Sequence, residues 1–256
     1  MWLLVAQGCC FFPGLFSLTR RFLQKTYPHL TDADTAVIST RVVSAVQAVM
    51  AVVSGILITS SCNDVLRDSH WISRDYILFG SPYMAYDLFA MYLCYWYKHR
   101  GERHGNRCGH WFGLLGGFLS KNILIVLHHL LLLLVCFPIT VFYRKNLGDF
   151  FLGCLLMAEL STPFLSFGKI LHQFGKQRTR LYKVNAVIAL VTFFVCRILL
   201  FPYMYWAFGQ QFGIAVHRVP FHIPLHCSLA NLMLMAPQVY WFYLLLKTVL
   251  KNKTKV

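Results

Sequence analysis

Apolar residues in this chain fall into long runs separated by short basic stretches. Alternation with the period of a half-buried strand is absent, and the runs are too long for buried strands. Seven runs can be read, at residues 2–18, 36–60, 76–97, 122–143, 149–171, 182–208 and 221–246. A membrane-crossing helix needs about 20 mainly apolar residues, so most of these runs predict a spanning helix. The first is the weakest, because it is short and holds Pro13 and Gly14. It has no basic start and no clear small-residue cleavage site, so it reads as a retained segment and not as a removable signal peptide. The expected fold is all-α: a polytopic membrane bundle of about seven transmembrane helices. Three parts are expected: an N-terminal membrane segment with a basic linker (1–33), the bundle (34–246) and a basic tail (247–256).

Composition agrees with the pattern. Of the 256 residues, 57% are hydrophobic and 13% charged, whereas a soluble domain carries about 25% charged residues. The net charge of +15 could suggest a nucleic-acid partner. Basic residues between apolar runs, however, orient helices and meet anionic headgroups, and no nucleic-acid motif accompanies them. The expected partners are therefore lipid and membrane, with a second copy of the chain as a further candidate and no nucleic acid. The nine cysteines lack C-x-x-C spacing and sit mostly in apolar runs, as small buried hydrophobes do.

With seven spans, seventeen of the 24 Lys and Arg residues fall on one side and five on the other, while Arg41 and Arg197 lie inside runs. The five are Arg67, Arg74, Arg144, Lys145 and Arg218. The positive-inside rule then predicts a lumenal or outside N-terminus and a cytosolic C-terminus. The sequon at Asn252 would face the cytosol and stay unmodified. The expected residence is the endoplasmic reticulum, with the plasma membrane as the alternative. The loop at residues 98–110 holds His99, His104, Cys108 and His110. These are zinc-ligand types without zinc spacing, so no metal and no resident cofactor are expected.

Ionisable groups inside a bilayer are costly and are functional candidates by default. Here they are Arg41, Asp87, His128, His129, Glu159 and Arg197, with His222 and His226 near the start of the last run. Arg197 lies mid-run and calls for a carboxylate. His128 and His129 stand in Ile-Val-Leu-His-His-Leu-Leu-Leu, far from other polar side chains. Adjacent helical positions point about 100° apart, so one imidazole can meet a substrate while the other orients it or bonds a neighbouring helix. A neutral imidazole can serve as base or nucleophile. Asp87 or Glu159 could set its tautomer. Interhelical bonding alone is the competing explanation.

At these residues the chain resembles the TLC-domain family, which includes ceramide synthases and translocating-chain-associated membrane proteins. The resemblance runs from about Asp34 to Leu246. It is carried by Tyr86-Asp87, His128-His129, Gly148-Asp149-Phe150-Phe151, Ala158-Glu159-Leu160-Ser161-Thr162-Pro163-Phe164, and Arg197 with Phe201-Pro202-Tyr203. It implies a bundle around a lipid-accessible cavity. It also implies acyl transfer from acyl-CoA, as co-substrate, to a sphingoid-base amine. His128, His129, Glu159 and Asp87 would be catalytic; Arg197, Ser161 and Thr162 would bind substrate. One departure is plain. Ceramide synthases follow the His pair with a His-Asp-x-x-Asp pattern, where this chain has Ala158-Glu159-Leu160-Ser161-Thr162. That motivates a second expectation, a lipid-binding protein using the same cavity without chemistry. A receptor or transporter is disfavoured: there is no acidic-Arg-Tyr triplet after the third run, no Asn-Pro-x-x-Tyr in the last, and no repeated half.

Overall fold

The computed structural model describes residues 1–99, 107–145 and 147–253, with no side chains described at 107–111 and 251–253. The described residues are helical almost throughout and contain no strand. The helices are α1 (Trp2–Thr26), α2 (Asp32–Ser61), α3 (Trp71–His99), α4 (Arg107–Leu131), α5 (Asp149–Met157), α6 (Thr162–Gln173), α7 (Arg180–Phe193), α8 (Leu200–Phe212), α9 (Val219–His222) and α10 (Leu225–Lys253). π-helical turns extend α4 to Tyr143 and join α7 to α8, and a 3₁₀ turn joins α5 to α6. The predicted runs correspond to these elements. The chief difference is at the ends, where the helices extend past the apolar core into polar residues.

Among the described residues, six helical stretches are long and apolar enough to cross a membrane: Trp2–Thr26, Asp32–Ser61, Phe112–Tyr143, Asp149–Gln173, Arg180–Phe212 and Leu225–Leu250. The first run, weakest in sequence, is among them and holds Pro13 inside a 25-residue helix. The third predicted span is not. Helix α3 has 29 residues, about 43 Å at 1.5 Å per residue, which exceeds the hydrocarbon thickness. Its apolarity is lowered by Asp87 and six tyrosines between residues 76 and 97. Helix α3 thus carries an ionisable candidate, Asp87, within its apolar run.

The chain forms two compact units that do not follow sequence order. One comprises residues 1–47 and 77–143, the other 48–76 and 144–256. In the first, Phe12, Val43, Tyr83, Tyr86 and Ala90 pack into a buried cluster. Phe12 contacts the rings of Phe79, Tyr83 and Tyr86. Gly8 lets α1 approach α3: a Cβ there would lie 2.2 Å from the Phe79 carbonyl oxygen. In the second unit the core is Val65, Phe150, Cys154, Leu200, Phe201, Met204 and Ala207. There Gly55 and Gly153 face each other. A Cβ on Gly55 would lie 2.6 Å from the Gly153 carbonyl oxygen, and one on Gly153 would lie 3.0 Å from that of Gly55. Helices in lipid associate through close packing and not through a hydrophobic gradient, so small residues mark their contacts. Leu127, Leu134, Phe142 and Leu232 point outward, exposed, as lipid-facing side chains do.

Local chemistry sets the ends. Thr31 and Asp34 form a reciprocal capping box before α2: the Asp34 amide donates to Thr31 Oγ1 (3.1 Å), and the Thr31 amide donates to Asp34 Oδ2 (3.2 Å). Thr179 Oγ1 caps α7 by accepting from the Tyr182 amide. Proline accounts for some of the irregular turns. Pro163 cannot donate to Glu159, four residues earlier, and its ring crowds that carbonyl; the chain runs as a 3₁₀ turn from Ala158 to Ser161. Pro202 stands in the same relation to Ile198, within the π turn Phe194–Leu199. Pro138 lies between the π turns Leu132–Cys136 and Ile139–Tyr143. Pro13, Pro82 and Pro237 lie inside continuous helices, so proline alone does not dictate the departure.

Candidate functional site

Two buried polar constellations contain the residues singled out from the sequence, one in each unit. In the first unit, α3 presents Asp87 and α4 presents His129, both buried. His129 Nε2 lies 3.0 Å from Asp87 Oδ2. His129 Nδ1 lies 2.9 Å from the Ile125 carbonyl oxygen, one turn back on α4. A carbonyl oxygen and a carboxylate oxygen both accept, so a ring proton is donated to Ile125 from Nδ1 or to Asp87 from Nε2.

His128 is half-buried. Its ring centroid is 6.0 Å from that of His129, with the planes 82° apart, as adjacent helical positions require. About six residues earlier, α4 has a break in its geometry at Asn122 (φ −124°, ψ 17°), where the Asn122 side-chain amide donates to the Phe118 carbonyl. Next to Asp87 on α3, the Tyr86 ring is part of the aromatic cluster around Phe12. Behind it α2 offers a buried polar face of Thr40, Ser44 and Gln47. Tyr83 Oη donates to Ser44 Oγ at 2.9 Å, and Thr40 Oγ1 lies 3.5 Å from Cys94 Sγ. Arg41, beside this face, is half-buried.

In the second unit Arg197 is the hub. Its Nε donates to Ser161 Oγ (2.9 Å), Nη1 to Gln238 Oε1 (3.1 Å), and Nη2 to Glu159 Oε2 (3.1 Å) and Thr162 Oγ1 (2.8 Å). Thr162 Oγ1 in turn donates to Glu159 Oε2 at 2.6 Å. The guanidinium also stands 5.3 Å from the centre of the Phe193 ring. Arg197 sits on a π turn and Glu159 and Ser161 on a 3₁₀ turn, so both partners occupy places where the helix departs from α geometry. Such irregular turns recur at functional sites. The carboxylate that Arg197 requires is Glu159. Its side chain keeps 29% exposure against 11% for Arg197, which leaves it partly open to the surroundings.

The candidate residues thus divide into two sets. His129 has Asp87 as its carboxylate; Glu159, the other candidate for that role, is committed to Arg197 and Thr162. Ser161 and Thr162, expected as substrate-binding groups, hold the guanidinium. His222, on α9, and His226, in the first turn of α10, are exposed. Among the described residues no group of three or more metal-ligating side chains occurs. His104 and the side chains of Cys108 and His110 lie outside the described residues, as does the end of the sequon that begins at Asn252.

One buried cluster was not singled out as a site from the sequence. Asp149, in the first turn of α5, accepts at Oδ2 from the His70 amide (2.7 Å) and from Ser73 Oγ (2.6 Å). Its Oδ1 is paired with the Arg144 guanidinium, which also donates to Ser73 Oγ and to the Leu147 carbonyl. Asp149 thereby supplies a cap to the start of α3 from a distant part of the chain. The available signal was a carboxylate at the edge of an apolar run, preceded by Gly148, which adopts a left-handed conformation (φ +71°). Gln238 was likewise missed as a partner of Arg197, and its signal was a lone amide inside the last span.

No solved structure matches the chain. The family model for the TLC domain matches residues 38–247, most of the chain and all of both constellations. The protein therefore belongs to the TRAM, LAG1 and CLN8 family of TLC-domain proteins, membrane proteins of lipid metabolism or lipid sensing.

Proposed function

We propose that this TLC-domain protein transfers a fatty acyl group from acyl-CoA to the amine of a sphingoid base, with His128, His129 and Asp87 at the reacting centre. The observation that carries the reading is the Asp87–His129 contact. It orients an imidazole in the manner of the carboxylate of a catalytic triad beside a second imidazole. Both nitrogens of His129 are engaged, by Asp87 and by the Ile125 carbonyl. His129 is accordingly the orienting and charge-stabilising member, and His128 the one that meets the thioester.

The chemistry balances in two steps. A His128 nitrogen attacks the thioester carbonyl, a C–N bond forms, the C–S bond breaks, and the thiolate leaves as coenzyme A after taking up a proton. The sphingoid amine then attacks the acyl-imidazole carbonyl. An amide forms, the C–N bond to histidine breaks, and the amine's proton passes to the released imidazole. The positive charge on the acyl-imidazolium develops beside the Asp87–His129 pair and is discharged when its remaining ring proton passes to the departing thiolate. Arg197, held by Glu159, Ser161, Thr162 and Gln238 within the second unit, takes no part in either step. The stretch from Gly148 to Phe164, with Asn231 to Phe242, resembles TLC domain-containing protein 3, and we place the chain in that branch, in its A form.

We also propose seven crossings, α3 included, with a lumenal N-terminus, a cytosolic C-terminus and residence in the endoplasmic reticulum. The decisive experiment supplies acyl-CoA and sphinganine to the purified protein and measures dihydroceramide. His128→Ala should abolish product, and Asp87→Asn should lower it about a hundredfold or more, the scale of a general acid–base contribution. Undiminished turnover in His128→Ala would remove the proposed nucleophile.

A second reading is favoured by one observation: Glu159, at the position of the first ceramide-synthase aspartate, is bound by Arg197 and Thr162. In that reading the protein holds or senses an acyl chain without turnover. A co-purifying lipid identified by mass spectrometry, with no product, would support it. Recovery of an acylated His128 would exclude it.

A further inference from the structure

The link between the last two spans, residues 213–224, joins the stretch Arg180–Phe212 to Leu225–Leu250. Both ends enter the membrane, so its short length keeps the link at the bilayer surface. It is folded onto itself and not splayed. The Ile214 amide donates to Gly209, Arg218 to Ala215, and Ile223 to Val219, all at 2.8–3.1 Å, while the Cys227 amide and the Ser228 hydroxyl tie its end to Pro224 and Pro220. Val219 is fully buried. Pro220 and Pro224 have no amide hydrogen to leave unsatisfied, which suits a segment that lies against lipid.

Against this closed backbone most side chains are exposed, and His222 Nδ1 lies 2.9 Å from the Arg218 carbonyl oxygen. Phe221 is 86% exposed, Leu225 73% and Val216 41%, and His217, Arg218, His222 and His226 are exposed with them. The apolar side chains suit the headgroup–acyl boundary. Three imidazoles and a guanidinium suit negative charge there. The sequence strengthens the bias: no Asp or Glu follows Glu159 anywhere in the chain.

Among the described residues, the helices packed against the link bring no carboxylate to it. Helix α8 brings the phenols of Tyr203 and Tyr205 and no charged group. Helix α10 brings His226, Cys227 and, farther along, Tyr240, Tyr243 and basic residues from Lys247 onward. The loop that meets Gln211 at the end of α8 brings Asp64, Arg67 and Asp68. The Asp64 carboxylate is already engaged by Gln211 and by the amides of Leu66 and Arg67, and that of Asp68 by the amides of Asn63 and Asp64.

We propose that residues 213–226 form a pH-tuned binding surface for anionic lipid headgroups. Phe221 and Leu225 insert among the acyl chains, Arg218 supplies a constant charge, and His217, His222 and His226 add theirs on protonation. Histidine is the side chain whose charge changes between about pH 5 and pH 8. The link therefore grips an anionic surface more tightly at lower pH. This inference does not depend on acyl transfer.

The test reconstitutes the full chain in phosphatidylcholine vesicles containing a minority of phosphatidylserine, and reads the preference for spin-labelled phosphatidylserine over spin-labelled phosphatidylcholine by electron paramagnetic resonance. Between about pH 7.5 and about pH 5.5 the preference should rise at least about twofold, given the attraction of each basic group to an anionic surface. The combined variant His217→Gln, His222→Gln, His226→Gln should lose that rise and keep the preference seen at the higher pH. Arg218→Gln should lower the preference at both pH values. A preference independent of pH in the wild type overturns the proposal. So does a pH-dependent rise that persists in the combined variant, because the other histidines would then carry it. Should the combined variant fail to reconstitute, His222→Gln and His226→Gln are made singly. Each should then remove part of the rise, and an unchanged rise in both overturns the proposal.

Discussion

At the scale of single residues, two buried charges show how position decides cost. Asp87 and His129 are both buried, and each is the other's closest ionisable partner on the facing helix. Removing one member of such a pair leaves the other uncompensated, at a cost of about 3–5 kcal/mol. Asp87→Asn or His129→Gln should therefore each lower the thermal midpoint in detergent markedly. The double variant should cost less than the sum, with a coupling of roughly 1–3 kcal/mol. Additive effects would mean that the contact contributes nothing to stability. Arg197 and Glu159 form the asymmetric case. Arg197→Met strands a partly buried carboxylate and frees Ser161 and Gln238. Glu159→Gln leaves the guanidinium three acceptors, Ser161, Thr162 and Gln238. The Arg197 variant should be the less stable of the two by thermal unfolding; the reverse order would show that Glu159 and not Arg197 organises the knot.

At the scale of elements, close backbone approach and irregular turns place the side chains. Gly55→Leu must separate α2 from α5, because even a Cβ would lie 2.6 Å from the Gly153 carbonyl oxygen. Gly113→Leu, on α4, meets no atom within 4 Å at its Cβ. The first should lose folded protein on size-exclusion chromatography, costing about 1–3 kcal/mol or more as overpacking does, and the second should not; equal behaviour would discount the crossing. The loop between α2 and α3 has its own pH dependence. The Gln211 side chain, followed by the Arg67 and Leu66 amides, holds the Asp64 carboxyl below the usual carboxylate range. A depressed carboxyl stabilises the fold above its unfolded pKa, about 3.9, and that contribution disappears as pH falls through the folded value. Asp64→Asn should flatten the loss of thermal stability on acidification through that range, and an identical slope in wild type and variant would count against it.

At the scale of the whole molecule, seven crossings place the two ends of the chain on opposite sides and six place them on the same side. After selective permeabilisation of the plasma membrane, an antibody should reach an epitope at the C-terminus and fail to reach one at the N-terminus. Access to both would remove α3 from the crossings. The apolar runs, their helical state and their approximate ends were legible in the sequence, because burial in lipid demands continuous apolar length and closes every backbone hydrogen bond within the helix. Also legible were the costly residues: Asp87, His128, His129, Glu159 and Arg197 stand out against Leu, Val and Phe without any structure. Their partners were not. Asp87 meets His129 across 42 positions, Glu159 meets Arg197 across 38, and Asp149 caps α3 from 79 positions away. Such pairings depend on the rotation of each helix about its axis, on the glycines that set its approach, and on the turns at Glu159 and Arg197 that break its period. Local hydropathy carries none of that information. The chain by itself determined that this protein is a membrane bundle with buried ionisable groups. Only the tertiary structure decided that Asp87 belongs to His129 and Glu159 to Arg197, because a buried charge takes its partner from packing in space and not from spacing along the chain.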